Sequence, residues 1–176
     1  MSFVHDEGKL RFAFDGDWKI LKWDDHDAYV GGLQRFQETK AVDFFGLYLG
    51  EPYFIEVKDF RGHRIKNKAR LSNGDLAREV AYKVRDTVAG MVWACGRSPL
   101  DGGELRGFVR PVLERSRKVP VVLWLEEDRP PGPADASTLG ETIKRELTWL
   151  NPRVLVTCRS LAQTAPVHGL EVTNVS

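Results

Sequence analysis

Three charged residues stand within the two apolar halves of a segment that has the composition of two buried β-strands, and this segment constrains the fold more than any other. The segment spans residues 43–58, with the sequence DFFGLYLGEPYFIEVK. Residues 42–49 and 53–58 are rich in aromatic and β-branched side chains, and Gly50-Glu51-Pro52 separates them, which predicts a β-hairpin. Within the two strands the charged residues are Asp43, Glu56 and Lys58.

The register of this hairpin decides whether the charges meet. A turn with an even number of residues, such as Gly50-Glu51 alone or residues 49–52, places Asp43 directly opposite Lys58 and Glu56 on the diagonal. Because side chains alternate between the faces of a strand, all three then lie on one face. A turn with an odd number of residues would separate them. Carboxylates and an ammonium in such apolar surroundings must pair with each other or bind a metal.

An acidic residue on one strand and Glu-x-Lys on the next resembles the motif of the PD-(D/E)XK, or restriction-endonuclease-like, phosphodiesterases. The resemblance implies that Asp43, Glu56 and the backbone carbonyl of Val57 hold Mg²⁺, for which Mn²⁺ can substitute. It also implies that Lys58 orients or deprotonates the attacking water. These roles suit Mg²⁺, which prefers oxygen ligands, takes one or two carboxylates and lowers the pKa of a bound water. Val42 stands where the family pattern has proline.

Two alternatives to an active nuclease remain open for the same residues. In the first, Glu56 and Lys58 form a solvated cross-strand ion pair in a purely structural α/β protein, and Asp43 only begins a strand. In the second, the chain keeps the restriction-endonuclease-like fold without catalysis and binds nucleic acid or protein.

The resemblance further implies that the first helix of the core contributes an additional acid. We predict this helix over residues 26–38, although Gly31-Gly32 weakens it. Glu38 is the best-placed candidate, with Asp25 behind it. The alternative for each is a solvated surface carboxylate.

The densest positive charge in the chain follows the hairpin, at residues 61–70. This segment lacks an apolar period, which predicts a loop beside the site that holds a nucleic-acid backbone. The alternative is a solvated basic loop without a ligand. The candidates for phosphate contact are Arg64, Lys66 and Lys68, together with Arg78 near the start of the next helix, which can instead pair with a local carboxylate.

The remaining patterns predict a sequence of helices and strands. An apolar stripe predicts the longest helix over residues 75–95, with Ser72 or Asn73 as its N-cap. Further predicted elements are two short strands over 10–14 and 18–23 that form a hairpin, a helix over 104–118, a strand over 119–125, a helix opened by the capping box Thr138-x-x-Glu141, and a strand over 153–158. This order predicts an α/β fold, a restriction-endonuclease-like three-layer sandwich whose mixed central sheet is flanked by helices.

Length and composition set the outer limits. A chain of 176 residues with 42% hydrophobic content suffices for one core, so we predict a single domain over residues 1–176. Its parts would be a nuclease-like core at about 26–125, an N-terminal β-hairpin at 10–23 and a C-terminal helix-strand unit at 137–158. The net charge of +1 gives no global attraction to nucleic acid, so such binding depends on the local basic cluster.

Cysteine usage and the missing motifs narrow the function further. Cys95 and Cys158 lack metal-site spacing, which predicts reduced thiols in a cytoplasmic protein. No stretch has the length of a membrane span, and no zinc, Ser/His/Asp or phosphate-loop motif is present. The resemblance therefore implies a Mg²⁺-dependent nuclease whose partner is nucleic acid, with DNA favoured, and a homodimer is one open oligomeric state.

Overall fold

A five-stranded mixed sheet forms the centre of the fold, in the strand order β3-β4-β5-β6-β7. The structure is a computed structural model that describes residues 2–35, 38–96, 102–114 and 117–175. Its strands are β1 Phe3–Glu7, β2 Leu10–Phe14, β3 Trp18–Leu21, β4 Phe44–Tyr48, β5 Glu51–Asp59, β6 Val119–Glu126, β7 Pro152–Thr157 and β8 Leu170–Asn174. Its α-helices are α1 Asp27–Gly31, α2 Arg64–Ser72, α3 Asp75–Cys95, α4 Gly102–Leu113 and α5 Pro133–Glu146.

The central sheet has an antiparallel half and a parallel half. Strands β3, β4 and β5 pair antiparallel, and β5, β6 and β7 pair parallel. Parallel neighbours need long crossovers, and these contain α2, α3 and α4 between β5 and β6, and α5 between β6 and β7. The predicted mixed α/β fold, with a hairpin followed by helices and parallel strands, is confirmed at this level.

The two faces of the central sheet have different covers. Apolar side chains of α3, α4 and α5 pack on one face. The other face packs against a second sheet of order β1-β2-β8, where Phe12 and Phe14 contact Phe44. Within the described residues, helices therefore flank only one face of the central sheet, and the prediction of a sandwich in which helices flank the sheet is wrong for the other face.

The predicted N-terminal hairpin of residues 10–23 is also wrong. Strand β2 pairs with β1 and β8, whereas β3 pairs with β4. The link at 15–17 carries the chain from one sheet to the other, and each strand gains a partner distant in sequence. No local pattern marked β8, which completes the second sheet from the C-terminus.

Local sequence patterns predicted the bounds of α3 correctly and those of other helices less closely. Helix α3 has the predicted bounds, although its N-cap is Gly74, while Asn73 accepts a hydrogen bond from the backbone N–H of Asp75. Helix α5 begins at Pro133, before the predicted capping box, and the Thr138 hydroxyl donates to Ala134 inside the helix. Helix α4 ends at Leu113, and part of its predicted extension, residues 115–116, lies outside the described residues.

Two segments near the hairpin differ from prediction more strongly. Residues 64–72 form α2 instead of a loop. The predicted helix over 26–38 is broken into α1 and a short 3-10 turn, Leu33–Arg35, because Gly31-Gly32 ends α1. Residues 36–37 of that prediction lie outside the described part of the chain.

Two further sequence predictions can be compared with the structure. Cys95 and Cys158 are free thiols, as predicted. No helix in the described ranges has the length and apolar character needed to cross a bilayer.

Candidate active site

A two-residue turn at Leu49-Gly50 sets the register of the β4–β5 hairpin. Tyr48 pairs with Glu51, and Phe44 pairs with Ile55. Both turn residues have positive φ, 48° and 85°, as a type I′ turn requires. The turn is centred one residue before the predicted position.

Proline explains this displacement. A turn at Gly50-Glu51 would make Pro52 the closing residue, which must donate its backbone N–H across the hairpin, and proline has none. In the observed turn Glu51 takes that place, and Pro52 pairs with Leu47 further along the strand.

The observed turn has an even number of residues, as predicted, but its shifted position changes which residues are paired. Continuing the pairing by one residue places Asp43, just before β4, opposite Glu56 instead of Lys58. Lys58 is then on the diagonal. The prediction that all three share one face is confirmed by this register, and the prediction that Asp43 directly opposes Lys58 is wrong. The shared face is the one that packs against α3.

The two acids are buried in the sheet. The side chain of Glu56 has no exposed surface, and Asp43 is 7% exposed. Oδ2 of Asp43 accepts a hydrogen bond of 2.6 Å from the backbone N–H of Val57, which fixes the acid against β5. Oε2 of Glu56 accepts no hydrogen bond from the described residues.

Two lysines supply positive charge to Glu56. Nζ of Lys58 lies 2.9 Å from Oε1 of Glu56 and 2.9 Å from Oε1 of Glu79 on α3. Nζ of Lys83, also on α3, lies 2.7 Å from Oε1 of Glu56 and 3.9 Å from Oδ1 of Asp43. Arg70 of α2 forms a further ion pair with Glu79, so the network joins the hairpin to two helices.

Sequence reasoning missed Glu79 and Lys83. They stand four residues apart on α3, beside the apolar positions Val80 and Val84 that face the sheet. A charged i, i+4 pair next to the buried stripe of a helix is the signal that could have identified them.

Burial dominates the electrostatics of Glu56. Desolvation, aided by the negative charge of Asp43, raises the pKa of Glu56 to about 7, against the opposing effect of Lys83 and Lys58. Burial by itself would lower the pKa of Lys58, but the carboxylates of Glu56 and Glu79 outweigh it and the pKa of Lys58 is raised. Lys58 is therefore an ammonium at neutral pH.

Two further acids, Glu7 and Asp24, lie close to Asp43, and neither was predicted there. One oxygen each of Glu7, Asp24 and Asp43 lies within 4.8 Å of the others. Asp24 belongs to the 3-10 turn Trp23–Asp25, and burial raises its pKa while Lys22 opposes the shift. Lys22 contacts Glu7 at 2.7 Å and Asp24 at 2.8 Å, so this group of acids already has a counter-charge.

The predicted additional acids lie elsewhere. Glu38 is exposed and adopts a φ of 71°, and the structure gives it no contact with Asp43. Asp25 is exposed, although it borders the pocket beside the site. Asp24 reaches the hairpin instead of Glu38 because it closely follows β3, whose Leu21 pairs with Phe45 of β4.

The charged cluster opens on a pocket of about 470 Å³. Lys58, Glu79 and Lys83 form its inner wall, and the segment between β3 and β4 forms its outer wall. The outer lining residues are Asp24, Asp25, Tyr29, Gln34, Thr39, Lys40 and Ala41.

Of the four candidates for phosphate contact, only Arg78 has a side chain that the structure describes. Arg78 is exposed and pairs with Asp75, which was its predicted alternative. Water screens an exposed pair of this kind, so Arg78 can exchange Asp75 for a phosphate. For Arg64, Lys66 and Lys68 the structure describes the backbone, which belongs to α2, but not the side chains.

Comparisons of the chain with protein-family models, with curated proteins and with solved structures found no match. The fold and site define a mixed α/β protein with a buried acid–lysine cluster at the edge of a pocket. Membership in the restriction-endonuclease-like family stays a prediction that depends on the motif.

Proposed function

We propose that this protein is a Mg²⁺-dependent nuclease with a restriction-endonuclease-like fold, which hydrolyses phosphodiester bonds of DNA or RNA. The main support is the convergence of Asp43, Glu56 and Lys58 on one face of the hairpin, beside the pocket. The strand, strand, helix and parallel-strand order of β4, β5, α3 and β6 is consistent with the fold that the motif implies.

The donor set suits a hard divalent cation. Asp43 and Glu56 offer carboxylate oxygens, and Mg²⁺ uses one or two of these while water and phosphate complete its shell. The buried Oε2 of Glu56 accepts no hydrogen bond from the described residues, so this oxygen is available as a metal ligand. Asp43, Glu56 and, as the motif implies, the carbonyl of Val57 would hold the ion. When bound, it would polarise a phosphoryl oxygen and lower the pKa of a water.

Lys58 orients the attacking water in this proposal. Its ammonium lies at the pocket wall and is held by Glu56 and Glu79 at equal distances of 2.9 Å. Because these carboxylates raise the pKa of Lys58, the side chain keeps its proton at neutral pH. Donation of a hydrogen bond and stabilisation of negative charge therefore fit it better than deprotonation of the water.

One observation favours a second candidate function, the binding of nucleic acid without catalysis. The ammonium of Lys83 lies between Asp43 and Glu56, where a lysine can neutralise both acids without a metal. A protein that uses Lys83 permanently in this way would keep the basic surface and lose turnover.

The test uses labelled single-stranded and double-stranded DNA and RNA with the full chain. Cleavage in Mg²⁺ that EDTA abolishes, and that is absent from Asp43→Asn, supports the nuclease. Binding in Ca²⁺ and Mg²⁺ without cleavage supports the non-catalytic binder. Failure of all four substrates to bind at low salt contradicts both functions.

A further inference from the structure

Lys83 differs from the other cations of the site because, among the described residues, it has no ion-pair partner other than the two acids. Its ion pairs within the described residues are with Glu56 and Asp43 alone, at 2.7 Å and 3.9 Å. Lys58, in contrast, also contacts Glu79 at 2.9 Å, and Lys22 bridges Glu7 and Asp24. If the charge of the two acids were neutralised by another cation, Lys83 would lose both of its partners.

A divalent cation and the Lys83 ammonium compete for the same oxygens. Mg²⁺ binds carboxylate oxygens at about 2.1 Å, and Oε1 of Glu56 is already in contact with Nζ of Lys83. Like charges that close in a partly buried site repel strongly, because water screens them little. The divalent cation and the Lys83 ammonium therefore cannot occupy the space between Asp43 and Glu56 at the same time.

The pocket offers the displaced side chain a place to go. Lys83 lines its wall, and its side chain is 17% exposed. A lysine has four rotatable bonds, so its ammonium can leave the acids and enter water without a change in the backbone. Lys58 would stay, because Glu79 and its ion pair with Arg70 still hold it.

We propose that Lys83 is a built-in counter-ion of Asp43 and Glu56, which a divalent cation displaces into the pocket when the site is loaded. This inference rests on the proposed function and identifies a residue that controls metal affinity. In the metal-free protein Lys83 neutralises the buried acids. In the loaded protein its ammonium faces the pocket, where phosphate would approach.

Calorimetric titration of Mn²⁺ without nucleic acid tests the inference. Lys83→Met keeps the length of the side chain and removes its charge, so it should bind Mn²⁺ about tenfold more tightly than wild type, or better. Lys83→Arg retains the charge and should stay close to wild type. Lys144→Met is the matched control, because Lys144 is 42% exposed at its side chain and pairs with Glu141 on α5, and it should leave the affinity unchanged.

A measurement on the wild-type protein avoids any dependence on the folding of Lys83→Met. Side-chain ammonium signals of ¹⁵N-labelled protein are recorded by NMR before and after addition of Mg²⁺, with Lys83→Arg to assign the Lys83 signal. On saturation the Lys83 ammonium should begin rapid exchange with water, and that of Lys58 should stay protected.

The outcomes separate this inference from the proposed function. Mn²⁺ binding by wild type with equal or weaker binding by Lys83→Met overturns the role of Lys83 and leaves the metal site intact. An unchanged Lys83 signal at saturating Mg²⁺ overturns it in the same way. No binding by either protein overturns both the counter-ion role and the metal-dependent nuclease.

Discussion

The ammonium of Lys83 on α3 lies 2.7 Å from Oε1 of Glu56 on β5. A side chain from the helix therefore supplies the counter-charge for an acid that is completely buried in the sheet. The contact depends on the packing of α3 against the sheet, where Leu76, Val80 and Val84 are all fully buried. The chemistry of the hairpin is therefore tied to the hydrophobic core that orients α3.

We expect Glu56 to make the stability of the metal-free protein dependent on pH. Its pKa in the folded protein, about 7, exceeds its ordinary value of 4.5, so the folded state binds this proton more tightly than the unfolded state. The resulting stabilisation is fully present below pH 4.5 and is lost as the pH rises through 7, by about 3 kcal/mol in total.

Urea unfolding of wild type and Glu56→Gln across this range measures the effect. A glutamine side chain cannot titrate, so the variant should show a flatter dependence of the free energy of unfolding on pH. Parallel curves for the two proteins would contradict the raised pKa.

We expect Asp43 and Lys58 to affect different steps. Asp43→Asn removes a ligand and should weaken Mn²⁺ binding by about tenfold or more. Lys58→Ala should keep Mn²⁺ binding and lower the cleavage rate by about 100-fold or more, as expected for a group that acts on the attacking water. Calorimetry and single-turnover cleavage give the two readouts, and melting temperatures control for folding. Loss of folding in both variants would make the residues structural ion-pair partners.

We expect the basic segment to provide contacts that do not depend on nucleic-acid sequence. Replacing Arg64, Lys66, Lys68 and Arg78 with alanine should weaken binding to DNA or RNA of any sequence. The slope of log affinity against log salt should become shallower by about 0.7 to 0.9 per lost phosphate contact. Mn²⁺ uptake should be unchanged.

A control for this experiment replaces two basic residues on other helices, each already paired with a local carboxylate. Arg110 on α4 pairs with Glu114, and Lys144 on α5 pairs with Glu141. Their replacement with alanine should leave the salt slope as in wild type. An equal loss in both sets of variants would indicate non-specific attraction.

We expect Leu49→Asn to stabilise the hairpin. Leu49 has a φ of 48° and is 70% exposed. Its left-handed backbone conformation therefore costs free energy that burial of the side chain does not offset. Asparagine tolerates this conformation and favours type I′ turns before glycine, which should add about 1 kcal/mol to the free energy of unfolding. Leu113→Asn, at another exposed leucine, is the control and should not stabilise. A neutral or destabilising Leu49→Asn would contradict the turn assignment.

Local patterns predicted the elements whose signal is repeated along their own sequence. The apolar stripe of α3 and the apolar run of β6 specified both elements to within a residue or two, because each depends on one burial environment along its length. The hairpin was predicted for the same reason, with its turn displaced by one residue. The same reasoning gave the wrong prediction for the basic segment at 61–70. The short helix α2 has too few apolar residues to show a helical repeat in its own sequence.

The sequence by itself determined that Glu56 and Lys58 share a face, because side chains alternate along a strand. The even turn, which the sequence left open, adds Asp43 to that face. Only the tertiary structure decided what meets them there. Lys83 and Glu79 reach the cluster because α3 packs on that face, and Asp24 reaches it because it closely follows β3, which pairs with β4. The partners of β2, β3 and β8 also lay far apart in sequence. Contacts of this kind follow from the burial of whole surfaces, and no local window of sequence contains both sides of them.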